Sequence, residues 1–302
     1  MMRAENDTPG QPTSDIPGQT APDKPARPAP ADRAPLDAGA LGRAVIRPGG
    51  LWRAVEVLAS TGSTNADLLA RAVAGAPEGL VLVAEEQTAG RGRMGRSWVS
   101  PPRAALTFSL LVRPHAVAPA RRGWLPLLAG VAVASAVHAA TGVQARLKWP
   151  NDVLAGPAKL GGILAEAAGD AVVIGIGLNV STEPGELPPP GPAPGGTLAA
   201  TSLRALGVAE LDREPPLAAI LAAFEHWYQA WRQAGGHPDR CGLRAEYTRL
   251  CATIGREVRV ERPAGQLLSG LAAGVDPDGR LLVRVSSGAE VPVAAGDVIH
   301  LR

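Results

Sequence analysis

Cysteine is nearly absent from this chain of 302 residues, and formal net charge is only +2. Cys241 and Cys251 alone cannot build the disulfide framework of a small secreted scaffold, and their surroundings show no metal-ligand spacing. They read as small apolar residues near a helix end, and the chain as a protein of the reducing cytoplasm. So small a charge gives no general nucleic-acid surface, so any anion site must come from where the cations sit. No positive-then-apolar leader opens the sequence, and no internal period marks a repeat array. Gly123 to Ala145 lacks formal charge and has the length of a membrane span. Alanine is its commonest residue, however, and Ser135, His138, Thr141 and Gln144 interrupt it, so it inserts weakly into lipid and reads as the buried helix of a soluble domain. Residues 1–45 lack any apolar period and are rich in Pro, Ala, Asp, Gly and Thr. The expectation is a disordered tail, unable to supply the amphipathic helices of a helix-turn-helix reader.

What is present is enough apolar content, 46%, for a substantial core. From Leu51 the pattern alternates. WRAVEVLA reads as a strand, ADLLARAVAG as a helix closed by Gly75, and GLVLVAEEQ and ALTFSLLVRP as strands. The alanine-rich helix follows, then ARLKWPND, a short strand running into a turn. KLGGILAEAAGDAVVIGIGLNV reads as two apolar strands turning at Ala168-Gly169-Asp170, and PGELPPPGPAPGG as a surface loop. Helices are expected at about 215–233 and 243–250. Beyond Gly255, short Val- and Leu-rich runs separated by PAG, DPDG and SSG predict a small all-β unit. The expected organisation is a tail at 1–45, an α+β domain at 46–252 with a mixed central sheet flanked by helices, and a β-barrel domain at 253–302.

Four clusters carry chemistry. Gly90-Arg91-Gly92-Arg93-Met94-Gly95-Arg96, ending in Trp98 and Pro101, interleaves guanidinium forks with glycines that let backbone approach a ligand closely, so it is read as a wrap for an anionic small molecule. With its three glycines and no apolar anchor, it is expected to be mobile when empty and to order over a ligand. Lys148-Trp149-Pro150-Asn151-Asp152 joins a cation, an aromatic and side-chain acceptors after a strand; an ordinary Asx turn would look the same. In KLGGIL, Lys159 precedes Gly161 and Gly162 within an apolar strand, a place of close approach, although a surface lysine at a strand start is the plain alternative. Ser63-Thr64-Asn65 precedes the first helix. One such residue suffices as an N-cap, whereas three in a row could hydrogen-bond a polar ring such as a cyclic urea.

In this order, STN, QTAGRGRMGRSWVSP, KWPND, KLGGIL and GIGLN resemble the biotin protein ligase family over about residues 51–300. The resemblance implies a catalytic domain of class II synthetase type with a C-terminal SH3-like barrel. It implies activation of biotin by ATP, accompanied by Mg²⁺, to biotinyl-AMP. Biotin then passes to a lysine of the biotin carboxyl carrier domain of an acetyl-CoA or acyl-CoA carboxylase, with no nucleic-acid or membrane partner. Biotin would be held by Ser63, Thr64, Asn65, Gln87, Arg91, Gly92, Arg93, Lys159, Gly161 and Gly162. ATP would be held by Arg93, Arg96, Trp98, Lys148, Asn151, Lys159 and Asn179. Lys159, Arg93 and Asp152 are the candidate catalytic residues, and no metal ligand is singled out. A biotin-binding repressor, a lipoate or octanoyl transferase and a passive binding protein are the alternatives.

Overall fold

The computed structural model describes residues 33–189, 198–209, 212–262 and 265–301. Strands β1 (Ala54–Leu58), β2 (Leu80–Ala84), β3 (Ala105–Val112), β4 (Ala145–Lys148), β5 (Asp152–Ala155), β6 (Ala158–Ala168) and β7 (Ala171–Asn179) form a seven-stranded sheet in the order β1-β2-β3-β7-β6-β5-β4. β1 and β2 run parallel, joined through helix α2 (Thr64–Val73), and the other neighbours are antiparallel.

The two-residue period of the strands sorts the core. Val172, Ile174, Ile176 and Leu178 of β7 face the main core under helix α3 (Trp124–Thr141), while Ala171 and Val173 meet Leu68 and Ala72 of α2 on the other face. The uncharged alanine-rich run is indeed this buried core helix: Leu125, Leu128, Val131, Val133 and Val137 are all inaccessible. Each such side chain contributes about 1.5–3 kcal/mol by leaving water. Gly142, at φ 72°, closes the helix in the left-handed conformation. Helices α4 (Glu214–Gln233) and α5 (Leu243–Leu250) pack against α3.

The C-terminal unit is a five-stranded antiparallel sheet of β8 (Glu257–Glu261), β9 (Leu267–Val275), β10 (Leu281–Arg284), β11 (Glu290–Val293) and β12 (Asp297–His300), in the order β11-β10-β9-β8-β12. Buried indoles clamp it to the larger domain. Trp124 Nε1 donates to the carbonyls of Asp276 and Pro277 at 3.2 and 3.0 Å, and Trp149 Nε1 donates to the Gly279 carbonyl at 3.2 Å. The Trp149 amide donates to Thr253 Oγ1, which also meets His300 Nε2 at 3.0 Å.

One expectation is corrected. Residues 33–45 are not a disordered tail: Asp37 caps helix α1 (Ala38–Val45) through the Gly39 and Ala40 amides, and Leu36, Leu41 and Val45 are buried. Three apolar residues are too few to show as a period, yet they suffice when a ready-made surface of β1 and α4 receives them. The remainder of that expected tail, residues 1–32, lies outside the described residues, as does 190–197 of the expected surface loop. The expected short strand and turn of ARLKWPND are present as β4 and residues 149–151. Asp152 opens β5, which pairs back on β4 and onward to β6.

His300 sits at the domain junction, and burial, followed by the positive charges of Lys148 and Arg256, pushes its pKa down to about 4. The unfolded chain binds this proton near pH 6.5 and the folded chain does not, so stability is whole above about pH 6.5 and falls as pH drops toward 4. His300→Gln should flatten the fall of melting temperature over that window; an unchanged slope would show that His300 does not couple protons to folding.

Candidate active site

The α2 face of the sheet turns from filled to empty along β7. Ala171 and Val173 carry side chains into the small core, but the next positions on that face are Gly175 and Gly177, followed by Asn179. Their partners continue the stripe: Ser109 and Thr107 on β3, and Leu164 and Gly162 on β6. The result is a cavity of about 490 Å³ floored by glycine backbone. Ser63, Thr64, Asn65, Gln87, Arg91, Gly92, Arg93, Arg96, Trp98, Asn151, Lys159, Gly162 and Asn179 all line it.

At one end, the first turn of α2 presents polar groups. Ser63 is the N-cap, accepting from the Ala66 amide. The Thr64 amide and hydroxyl both donate to Gln87 Oε1, at 2.8 and 3.1 Å. Ser109, buried beneath them, meets Thr64 Oγ1 at 2.7 Å and donates to Asn65 Oδ1 at 2.6 Å. Asn65 Nδ2 donates in turn to Glu166 Oε2 at 2.8 Å. These buried polar groups are mutually satisfied and therefore fixed in orientation.

The arginine-glycine loop roofs the cavity as a tight hairpin. Trp98 N donates to the Gly90 carbonyl at 2.9 Å and Gly92 N to the Arg96 carbonyl at 2.6 Å. A Cβ on Gly90 would lie 2.4 Å from the Trp98 carbonyl, so only glycine permits this closure. Trp98 lies directly on the glycine floor: a Cβ on Gly177 would fall 2.4 Å from its ring, and one on Gly162 3.7 Å from it. The reading of a loop without an apolar anchor is thereby corrected, because Trp98 is that anchor. Its indole N–H is buried without a hydrogen-bond partner among the described residues.

Each cation of the roof has a counterpart. Arg91 pairs with Glu166, Arg93 Nη1 donates to Asn151 Oδ1 at 2.9 Å, and Arg96 pairs with Asp297 of β12 at 2.8 Å. Lys159 Nζ lies 2.6 Å from Asp152 Oδ1, with Lys148 Nζ 4.0 Å from the other oxygen. Burial works against the charge on both Arg93 and Lys148, lowering their pKa values despite nearby carboxylates. Across the loop lies a second cavity of about 820 Å³, bounded by Arg91 to Arg96, Pro126, Pro150, Glu166 and Asp278 to Arg280.

Three expected site residues stand elsewhere. Gly161 faces the opposite side of β6 from Gly162, as the strand period demands; it pairs with Leu178, and a Cβ there would meet the Gly177 carbonyl at 2.6 Å. Its smallness serves the sheet. Lys148 and Asp152 do not line the cavity and reach it through Lys159. Conversely, Glu166, Ser109 and Asp297 do not line the cavity but hold Arg91, Asn65 and Arg96, which do, and were not singled out from sequence. Glu166 was accessible to that reasoning, being four residues along the same strand face as Gly162; Asp297 was not, because it arrives from another domain.

Similarity to known proteins fits this geometry. Residues 57–179 match the Biotin/lipoate A/B protein ligase family and residues 253–301 the Biotin protein ligase C terminal domain. The chain is 47% identical over 274 residues to the biotin–[acetyl-CoA-carboxylase] ligase of Mycobacterium tuberculosis, covering 89% of this chain and 97% of that protein. This chain belongs to the biotin protein ligase family. A bifunctional ligase/repressor of Bacillus subtilis is 35% identical over 77% of this chain and 69% of its own length. Among solved structures, the biotin protein ligase from Aquifex aeolicus in complex with biotin and ATP superposes with a TM-score of 0.66 at 26% identity, covering 82% of this chain and 98% of that one. The mixed sheet with a small C-terminal β domain is thus the biotin protein ligase fold.

The seat of Trp98 is open to test. Gly177→Ala should unseat the ring and loosen the hairpin of this family member, raising the rate of tryptic cleavage after Arg91, Arg93 and Arg96 about tenfold. Cleavage at the wild-type rate in a folded variant would show that the floor does not anchor the loop.

Proposed function

We propose that the protein is an ATP-dependent biotin protein ligase that forms biotinyl-AMP and transfers biotin to a lysine of a carboxylase's biotin carboxyl carrier domain. The observation carrying this reading is the convergence of Arg93, Arg96 and Lys159 on one cavity whose far end bears the fixed polar groups of Thr64, Asn65 and Gln87. Family membership adds its weight, as does the activity of the Mycobacterium tuberculosis relative.

The chemistry suits this division. The ureido ring of biotin needs donors and acceptors in fixed places, which Ser63, Thr64 and Gln87 offer, and its apolar body needs apolar cover, which the Trp98 ring and the backbone of Gly162 offer. The carboxylate then lies toward Arg91 and Arg93. Its attack on the α-phosphorus of ATP brings anions together and builds negative charge on non-bridging oxygens, where preplaced cations act most strongly. Lys159, Arg93 and Arg96 are placed for that work, with Trp98 and Asn179 for the nucleoside. Arg91 and Arg96 must exchange Glu166 and Asp297 for substrate oxygens, so resting ion pairs keep the cations solvated by protein until substrate arrives. Mg²⁺ would enter as the counter-ion of ATP: among the described residues no three His, Cys, Asp or Glu side chains converge into a cage of their own. The second step needs a neutral amine from the carrier lysine, and Asp152, beside Lys159, is our candidate to receive its proton. Carrier protein and ATP meet in the cytoplasm, where we place the reaction.

Biotin-dependent exchange of labelled pyrophosphate into ATP is the direct test. The wild-type chain should catalyse it, and Lys159→Ala should lose on the order of 10²–10³ in rate; no exchange by the wild type would refute the proposal. With preformed biotinyl-AMP, Asp152→Asn should slow transfer to a carrier domain on the order of 10² and alter its pH profile. Unchanged transfer would remove Asp152 from the second step.

A further inference from the structure

Residues 33–37 cross the sheet end where β2 and β7 exit and β3 enters, bonding directly to the segments after β2 and β7 and, through Arg213, to the start of β3. The Leu36 amide donates to Glu85 Oε1 at 2.6 Å, just beyond β2. Arg213, at the start of α4, pairs with Glu85 Oε2 at 2.7 Å and donates to the Ala34 carbonyl at 2.7 Å and the Ala105 carbonyl at 3.3 Å. Arg33 Nη2 donates to the Ser181 carbonyl at 2.8 Å and pairs with Glu186 Oε2 at 2.5 Å. Arg33, Glu85 and Arg213 are only 4%, 7% and 4% exposed. Charges buried this deeply persist only when their partners are held in place, so the contacts impose geometry as well as cohesion.

The Arg33 contacts fall between two parts of the candidate site. Asn179, two residues before Ser181, lines the cavity and donates to the Thr201 carbonyl at 2.9 Å. Pro188 and Pro189, just after Glu186, form a cavity wall together with Leu198 and Ala200. This wall stands beside Asn179 and Lys159, away from the polar groups of α2. Glu186 also accepts from the Glu183 amide at 2.9 Å, closing a short 3₁₀ turn that aims the following prolines.

We infer that Arg33 is a positioning residue for the nucleotide end of the cavity, fixing the Pro188–Pro189 wall through Glu186. The inference rests on the proposed ligase reading for the identity of the ligand. Arg33 touches no substrate. Its loss leaves the biotin end intact and loosens the wall that would cover the nucleotide.

The test is steady-state pyrophosphate exchange with ATP and biotin varied separately. Arg33→Ala and Glu186→Ala should each raise KM for ATP about tenfold, a change of about 1.4 kcal/mol, and leave KM for biotin and kcat within about twofold. The double variant should be less damaging than the sum of the two single ones, because both remove the Arg33–Glu186 link. Arg33→Lys should recover part of the loss. Asp37→Ala, which uncaps α1 without touching the Arg33 pair, should lower the melting temperature and leave both KM values unchanged. If Arg33→Ala fails to fold, Glu186→Gln, which keeps the side chain's volume and weakens the ion pair, carries the test and should raise KM for ATP alone. An unchanged KM for ATP in folded variants would overturn the inference, as would parallel rises in both KM values or the same rise in Asp37→Ala. Absence of exchange by the wild type would instead refute the ligase reading, a result distinguishable from failure of the variants alone.

Discussion

The site depends on an omission in the central strand. Five positions of β7 share one face, and the strand fills the inner two, leaves Gly175 and Gly177 bare, and ends in Asn179. Because neighbouring strands are held in register by their ladders, this bare stripe becomes a depression bordered by β3 and β6. Everything above it follows: Asn65 projects over Gly175, Trp98 rests on Gly177, and the arginine-glycine hairpin is carried at the height of that ring. A methyl group at Gly177 would disturb the roof more directly than many changes within the roof itself.

The second organising feature is charge held in reserve. Arg91, Arg96 and Lys159 each have a carboxylate partner, and those partners come from β6, β12 and β5 respectively. The C-terminal unit is therefore part of the electrostatics of the site, through Asp297, as well as a packing partner clamped by Trp124 and Trp149. Salt would weaken the half-exposed Arg91 and Arg96 pairs more than the buried network around Asn65.

Most elements were legible from strong patterns or composition: the glycine-punctuated hairpin of β6 and β7, the long uncharged run of α3 and the amphipathic α4. α1 was not, since Leu41 and Val45 carry too little pattern to outweigh the composition around them. The motif loops announced their chemistry because glycine and arginine in alternation are hard to explain by packing. Gly161 shows the limit of that reasoning. Adjacent glycines look equivalent in a string, and only the pairing of β6 with β7 reveals that one faces the cavity and the other the neighbouring strand. Arg33 lay beyond sequence reasoning altogether, since its partner stands 153 positions away.

The bond between Lys159 and Asp152 has a further consequence for a protein that would hold an acyl adenylate. Such a reagent acylates any free amine within reach, and the lysines among the described residues are Lys148 and Lys159. Lys148 does not line the cavity, and the Lys159 amine is already engaged by the Asp152 carboxylate at 2.6 Å. The group that would draw the nucleotide in is thus tied to a partner on its own sheet. Through that one contact the chamber is poor in nucleophiles of its own and reserves its acyl group for an amine that comes from outside.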